Sequence, residues 1–132
     1  MGLILDTNVF IHQERSKQLL DLESVKSFEP FFISSITVSE LLAGVHLAAN
    51  KKIKLHRLAF VEEIISRMPI LDFTPEIART HSELHVYLIR HGKLIGAHDL
   101  IIAATAVHHG HAVLTRNVKE FKQVPALTVL SF

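Results

Sequence analysis

Apolar residues fall into short solid runs separated by longer stretches with helical spacing. Leu3-Ile4-Leu5 predicts a buried strand that stops at the polar trio Asp6-Thr7-Asn8, which reads as a turn. Ser16 to Ser27, with Leu19, Leu20 and Leu22 near one face, predicts a helix. Phe31-Phe32-Ile33 is a second strand. It leads into a helix over Ser34 to Ala49 carrying Ile36, Val38, Leu41, Leu42 and Val45. Lys51 to Arg67 repeats the helical spacing until Pro69 stops it. Ile70 to Phe73 is a third strand. Thr74 and Pro75 open the next helix as N-cap and first residue, and Gly92 follows its end near His91. Gly96 to His109 is an apolar helix closed by Gly110, and Ala112 to Leu114 is a fourth strand. Val118 to Lys122 makes one helical turn, and Leu127 to Leu130 is a fifth strand.

Strands alternating with helices predict right-handed crossovers and a mostly parallel sheet of roughly five strands, covered on both faces. Solid aliphatic strands fit that α/β arrangement of three layers, α/β/α. In such sheets a ligand binds beyond the carboxyl ends of the strands, so chemistry is sought there.

Composition narrows the classes. With 132 residues, 48% of them hydrophobic, the chain reads as a single domain over 1–132 with a sizeable core. Zero cysteines remove disulfide scaffolds, thiolate metal sites and cysteine nucleophiles. No apolar run approaches the ~20 residues a bilayer needs, and no basic leader precedes an apolar stretch. A cytoplasmic protein without a membrane anchor is expected. Net charge is +1, so any nucleic-acid footprint must be local. The high apolar content suits either a thorough core or a hydrophobic partner surface.

Acids stand at the strand ends. Asp6 follows the first strand, and Glu40 lies early in the helix after the second. Asp99 lies in the first turn of the helix before the fourth, and Glu120 lies just past Thr115-Arg116-Asn117. Each has a plain structural alternative. Asp6 could cap a turn, Glu40 could close a capping box with Thr37, Asp99 could complement a helix dipole, and Glu120 could be surface charge. Capping does not explain why the acids gather at one sheet edge. Carboxylates crowded together repel and hold protons unless a cation sits among them. Hard oxygen donors suit Mg²⁺ or Mn²⁺, and such an ion serves phosphodiester cleavage.

Four segments carry a family likeness: Leu5 to Val9, Ile33 to Gly44, Gly96 to Ala104, and Leu114 to Phe121. In this order they resemble the PIN domain, and more narrowly the VapC toxins of bacterial toxin–antitoxin pairs. The resemblance runs from Leu3 to about Leu130. It implies a PIN-like sandwich and a Mg²⁺- or Mn²⁺-dependent endoribonuclease acting on structured RNA such as tRNA or rRNA. It also implies a VapB-like antitoxin partner and a homodimer. The family's metal-binding acids map onto Asp6, Glu40 and Asp99 as catalytic residues. Many relatives carry Asp where this chain has Asn117, and others carry the fourth acid at the position of Glu120. Glu120 is therefore taken as the fourth catalytic carboxylate and Asn117 as a positioning group. Asn8, Thr115 and Arg116 are expected to support the site or touch substrate. A housekeeping PIN nuclease in RNA processing and an inactive PIN-like binding module are the alternatives. Retention of Asp6, Glu40 and Asp99 speaks against the inactive module.

Other basic and imidazole groups get plainer readings. Lys51, Lys52, Lys54, His56 and Arg57 read as a solvated helix face. His81 and His85 share a helix face but lack an evident third ligand for zinc.

Overall fold

A computed structural model of the chain describes residues 1–16 and 21–132. Five strands form the sheet: β1 (Leu3–Leu5), β2 (Phe31–Ser34), β3 (Ile70–Leu71), β4 (Ala112–Leu114) and β5 (Val129–Leu130). Their order is β3-β2-β1-β4-β5 and every pairing is parallel. Leu3 pairs with Phe31 on one side and Ala112 on the other, which fixes the register at the centre.

Helices are α1 (Thr7–Ser16), α2 (Ser35–His46), α3 (Lys51–Arg67), α4 (Pro75–Arg90), α5 (Ala97–His109) and α6 (Val118–Phe121). Strand side chains alternate between two cores. Leu3, Leu5, Ile33 and Leu114 pack with Val9, Phe10, Leu41, Val45, Val61 and Ile64 from α1, α2 and α3. Ile4 and Val113 pack on the other face with Ile77, Leu84, Leu88, Ile102 and Phe121 from α4, α5 and α6. The expected three-layer α/β/α architecture is thus present, with the strands buried on both faces.

Two local expectations are corrected. Thr7 and Asn8 do not form a turn, because α1 begins at Thr7 directly after Asp6. The helix expected over Ser16 to Ser27 is replaced by the end of α1 at Ser16 and a 3-10 helix over Leu22–Phe28, capped by Asp21. Leu19 and Leu20, which shaped that expectation, lie outside the described residues. β3 and β5 are also shorter than their apolar runs suggest. Thr74 accepts from the Ile77 N–H as an N-cap, as expected, and Gly110 closes α5 at φ +70°.

The chain builds β1, β2 and β3 outward in one direction, then returns to add β4 and β5 on the other side of β1. The order reverses between β1 and β4. A crevice opens at such a switch point, beyond the carboxyl ends of the two strands. Asp6 and Thr115 are the residues immediately past those ends.

Candidate active site

Asp6 is only 4% exposed. Its Oδ2 accepts from the Thr115 hydroxyl at 2.7 Å and its Oδ1 from the Thr7 N–H at 2.8 Å. Thr115 Oγ1 in turn accepts from the Asn117 N–H at 2.9 Å and lies 3.4 Å from Asn8 Nδ2. That hydroxyl therefore uses its donor and both acceptor positions. Asn117 extends the chain of contacts, donating from Nδ2 to Asp99 Oδ2 at 2.8 Å. Strand ends β1 and β4 and the first turn of α5 are thereby joined through Asp6, Thr115, Asn117 and Asp99.

Glu40 enters from α2. Ser34 caps that helix, so Thr37 falls at its third position and Glu40 a turn deeper. The capping-box alternative for Glu40 is thereby excluded. Thr7 instead holds it, donating to Glu40 Oε1 at 2.7 Å while sitting 3.1 Å from Thr37 Oγ1. His98 Nδ1 lies 3.5 Å from the other oxygen of Glu40. Glu120 reaches back from α6 to the start of α5, its Oε2 lying 3.5 Å from the Gly96 nitrogen.

These acids perturb one another. Burial pushes the Asp6 carboxyl up to about 6, and the charges of Asp99 and Glu40 push the same way, against the hydrogen bonds from Thr115 and Thr7. Burial also raises Asp99, helped by Glu120 and Glu40, while the Asn117 amide and His98 oppose the rise. The contest has a clear meaning. Thr115, Thr7 and Asn117 are all donors aimed at carboxylate oxygens, which favour the ionised form, while burial and like charge oppose it. A bound cation relieves the repulsion without breaking those bonds.

The donor set fits a hard divalent ion. Oxygens dominate it, and the chain has no thiolate to offer. Among the described residues, no three acidic or imidazole side chains stand close enough together to hold an ion by themselves. An ion here would need waters or substrate oxygens beside the carboxylates, as Mg²⁺ takes when it keeps several waters and binds one or two carboxylates.

Asp6, Asp99, Asn117, Thr115 and Asn8 share one network, and Glu40 joins it through Thr7. Glu120 adjoins Asp99 electrostatically but bonds the α5 terminus. Arg116 donates its backbone N–H to Asn8 Oδ1 at 3.4 Å, while its Nη2 lies 2.9 Å from His12 Nδ1. Thr7 is the residue that sequence reading missed. A threonine directly after a strand-end aspartate was the available signal, hidden by reading Asp6-Thr7-Asn8 as a turn. The Lys51 to His56 run is exposed as expected, but Arg57 is tied to Glu14 of α1 at 3.1 Å and to the Gly44 carbonyl at 3.2 Å.

Comparison with known proteins gives the family and the fold. The PIN domain family matches residues 3–127. Ribonuclease VapC1 of Rickettsia felis is 39% identical over 131 residues, covering 99% of this chain and 96% of its own length. The tRNA(fMet)-specific endonuclease VapC of Salmonella typhimurium is 32% identical over 132 residues, covering 98% and 96%. Among solved structures, VapBC2 from Rickettsia felis bound to a promoter DNA fragment superposes with a TM-score of 0.85 at 30% identity, covering 100% of this chain and 99% of that one. The chain belongs to the PIN-domain family and, within it, to the VapC ribonucleases.

Proposed function

We propose that this chain is the toxin of a VapBC-like toxin–antitoxin pair, a Mg²⁺- or Mn²⁺-dependent endoribonuclease that cuts structured RNA such as tRNA or rRNA. The observation that carries the reading is the pairing of buried Asp6 with half-buried Asp99 at the β1/β4 switch point, both pushed toward protonation yet met by hydrogen-bond donors. Asp6, Glu40 and Asp99 are the residues that hold the ion, with Glu120 as the fourth catalytic carboxylate. When bound, the ion supplies Lewis-acid polarisation of the phosphodiester and a more acidic water. Thr115, Thr7 and Asn117 fix the carboxylates so that little reorganisation accompanies the reaction. Asn8 steadies Thr115 and the backbone of Arg116. Arg116 supplies the positive charge that a phosphate backbone needs near the acidic edge.

The partner we propose is a VapB-like antitoxin that presents a basic side chain to the carboxylates, where a cation from the partner replaces the metal. A cavity of about 130 Å³ beside Glu40, lined by Ile11, Leu41, Gly44 and Arg57 among others, offers a partly apolar approach. The whole chain, 1–132, acts as one domain in this reading, and as a homodimer. Among the described residues no helix is long and apolar enough to cross a membrane.

The test is cleavage of tRNA and rRNA by protein stripped with EDTA. Activity that returns with Mg²⁺ or Mn²⁺ and is blocked by the co-encoded small protein supports the proposal. Cleavage undiminished by EDTA contradicts it.

A further inference from the structure

Arg116 follows Thr115, which bonds Asp6, yet its guanidinium leaves the carboxylates for another trio. Nη2 donates to His12 Nδ1 at 2.9 Å. The guanidinium carbon lies 4.9 Å from the centroid of the Phe132 ring. The His12 and Phe132 rings approach each other at 5.6 Å with a tilt of 57°. α1, the segment after β4 and the segment after β5 thus each contribute one side chain.

Two features distinguish this from an ordinary structural arginine. Arginine has no acceptor, so His12 must accept through Nδ1 and carry its proton on Nε2, which makes it a neutral partner. Among the described residues no carboxylate lies within ion-pair distance of Arg116. The arginine is exposed, and Phe132 is partly buried against the α1–α3 core. A cation is therefore held in a fixed direction by an imidazole and a ring, with no ion-pair partner among the described residues. Its remaining N–H donors are free for a planar, bidentate acceptor such as phosphate.

We propose that His12, Arg116 and Phe132 form a seat for the phosphate next to the scissile one, on a single-stranded stretch of the RNA substrate. Arg116 makes the contact, and His12 and Phe132 are positioning residues. The location suits this role. His12 stands about 7.5 Å along α1 from Thr7, which bonds Glu40, at a rise of 1.5 Å per residue. A phosphate at Arg116 would sit next to the site through Thr115, which bonds Asp6, without Arg116 pairing with the carboxylates themselves. The exposed guanidinium draws a phosphodiester strand toward this edge. The inference rests on the ribonuclease reading above.

The experiment is steady-state cleavage of a tRNA in Mg²⁺ across a salt series, with Tm measured for every variant. Arg116→Met is expected to raise KM about tenfold, with the loss falling on KM more than on kcat. It should also flatten the slope of log KM against log salt by about 0.7, the contribution of one phosphate on a single strand. His12→Leu and Phe132→Leu should each raise KM severalfold. His12→Asn, which keeps an acceptor near the Nδ1 position, and Phe132→Trp should restore most of it. A merely structural role predicts that losses follow Tm and that the acceptor and the ring make no difference. An unchanged KM and salt slope in Arg116→Met, while wild type cleaves, overturns the proposal alone. An Arg116→Met effect confined to antitoxin affinity overturns it too, in favour of a protein-binding role. Wild-type protein that cleaves no RNA in Mg²⁺ or Mn²⁺ overturns the ribonuclease reading and this proposal together.

Discussion

The two ends of the sheet crowd like groups in different ways. At the carboxyl end Asp6, Glu40, Asp99 and Glu120 gather, and burial with mutual repulsion raises Asp6 and Asp99. At the amino end His109 and His111 approach with ring centroids 5.7 Å apart, and His108 stands 5.0 Å from His109. Burial lowers His111 from its ordinary value, with His109 and the N-terminal amine adding to it, and burial with His108 lowers His109. Both ends thus favour neutral groups. The difference lies in the hydrogen bonds. His111 Nδ1 accepts from the Gly2 N–H at 3.0 Å and its ring stacks on Phe32 at 4.8 Å, contacts that suit the neutral imidazole. The acids receive donors that suit the charged form. The histidine end is satisfied as it stands, whereas the acid end sets donors that suit the charged form against burial and repulsion that oppose it.

The largest expected effect is on activity. Asp99→Asn should lower RNA cleavage roughly 10³-fold, since a lost ion removes several kcal/mol of transition-state stabilisation. Wild-type rates in Asp99→Asn would separate the acid edge from the chemistry.

Next comes stability without metal. The Asp6 carboxyl in the folded chain ionises at about 6 instead of the ordinary 3.8. A raised carboxyl adds stability that is complete below the unfolded value and is lost as pH rises through the folded one. Asp6→Asn should therefore stabilise the metal-free protein at pH 7, by about 3 kcal/mol at most. Urea unfolding at pH 7 and pH 4 checks this, and the gain should shrink toward pH 4.

Glu120→Gln should cost about 10–100-fold in cleavage and raise the Mg²⁺ needed for half-maximal rate, as expected for an outer support of the ion. Asn117→Asp should be tolerated when Mg²⁺ is present. Normal cleavage by Glu120→Gln beside a dead Asn117→Ala would reverse the two roles.

The smallest effect carries the opposite sign of pH dependence. His111 titrates below its ordinary 6.5 in the folded chain, so its contribution is present above that value and is lost as pH falls. His111→Asn should flatten the acid-side loss of stability, whereas Asp6→Asn should steepen it. Parallel pH curves for the two variants would remove the contrast between the sheet ends.

Much of this was legible in the sequence, for identifiable reasons. Solid aliphatic strands and helical spacing depend on local residue order, so β1, β2, β4 and α3 fall where the pattern puts them. Asp6, Glu40 and Asp99 were visible because strand ends are readable and the sheet rule sends them to one edge. The start of α1 was hidden because Asp-Thr-Asn is equally turn chemistry, and only packing of Val9 and Phe10 under β1 decides for helix. Thr7 bonding Glu40 and Arg116 bonding His12 join residues distant in sequence, and no local pattern encodes such pairs.

The central claim is that the acid edge retains charge and takes a divalent ion, and thermal unfolding with added Mn²⁺ tests it most directly. Binding to the folded state alone raises Tm as the ion saturates its site. At pH 7.5 the account predicts a saturable rise for wild type. The rise should fade as pH drops below about 6, where the proton competes for Asp6, and should be absent in Asp6→Asn. An equal rise in Asp6→Asn, or none in wild type, would contradict it.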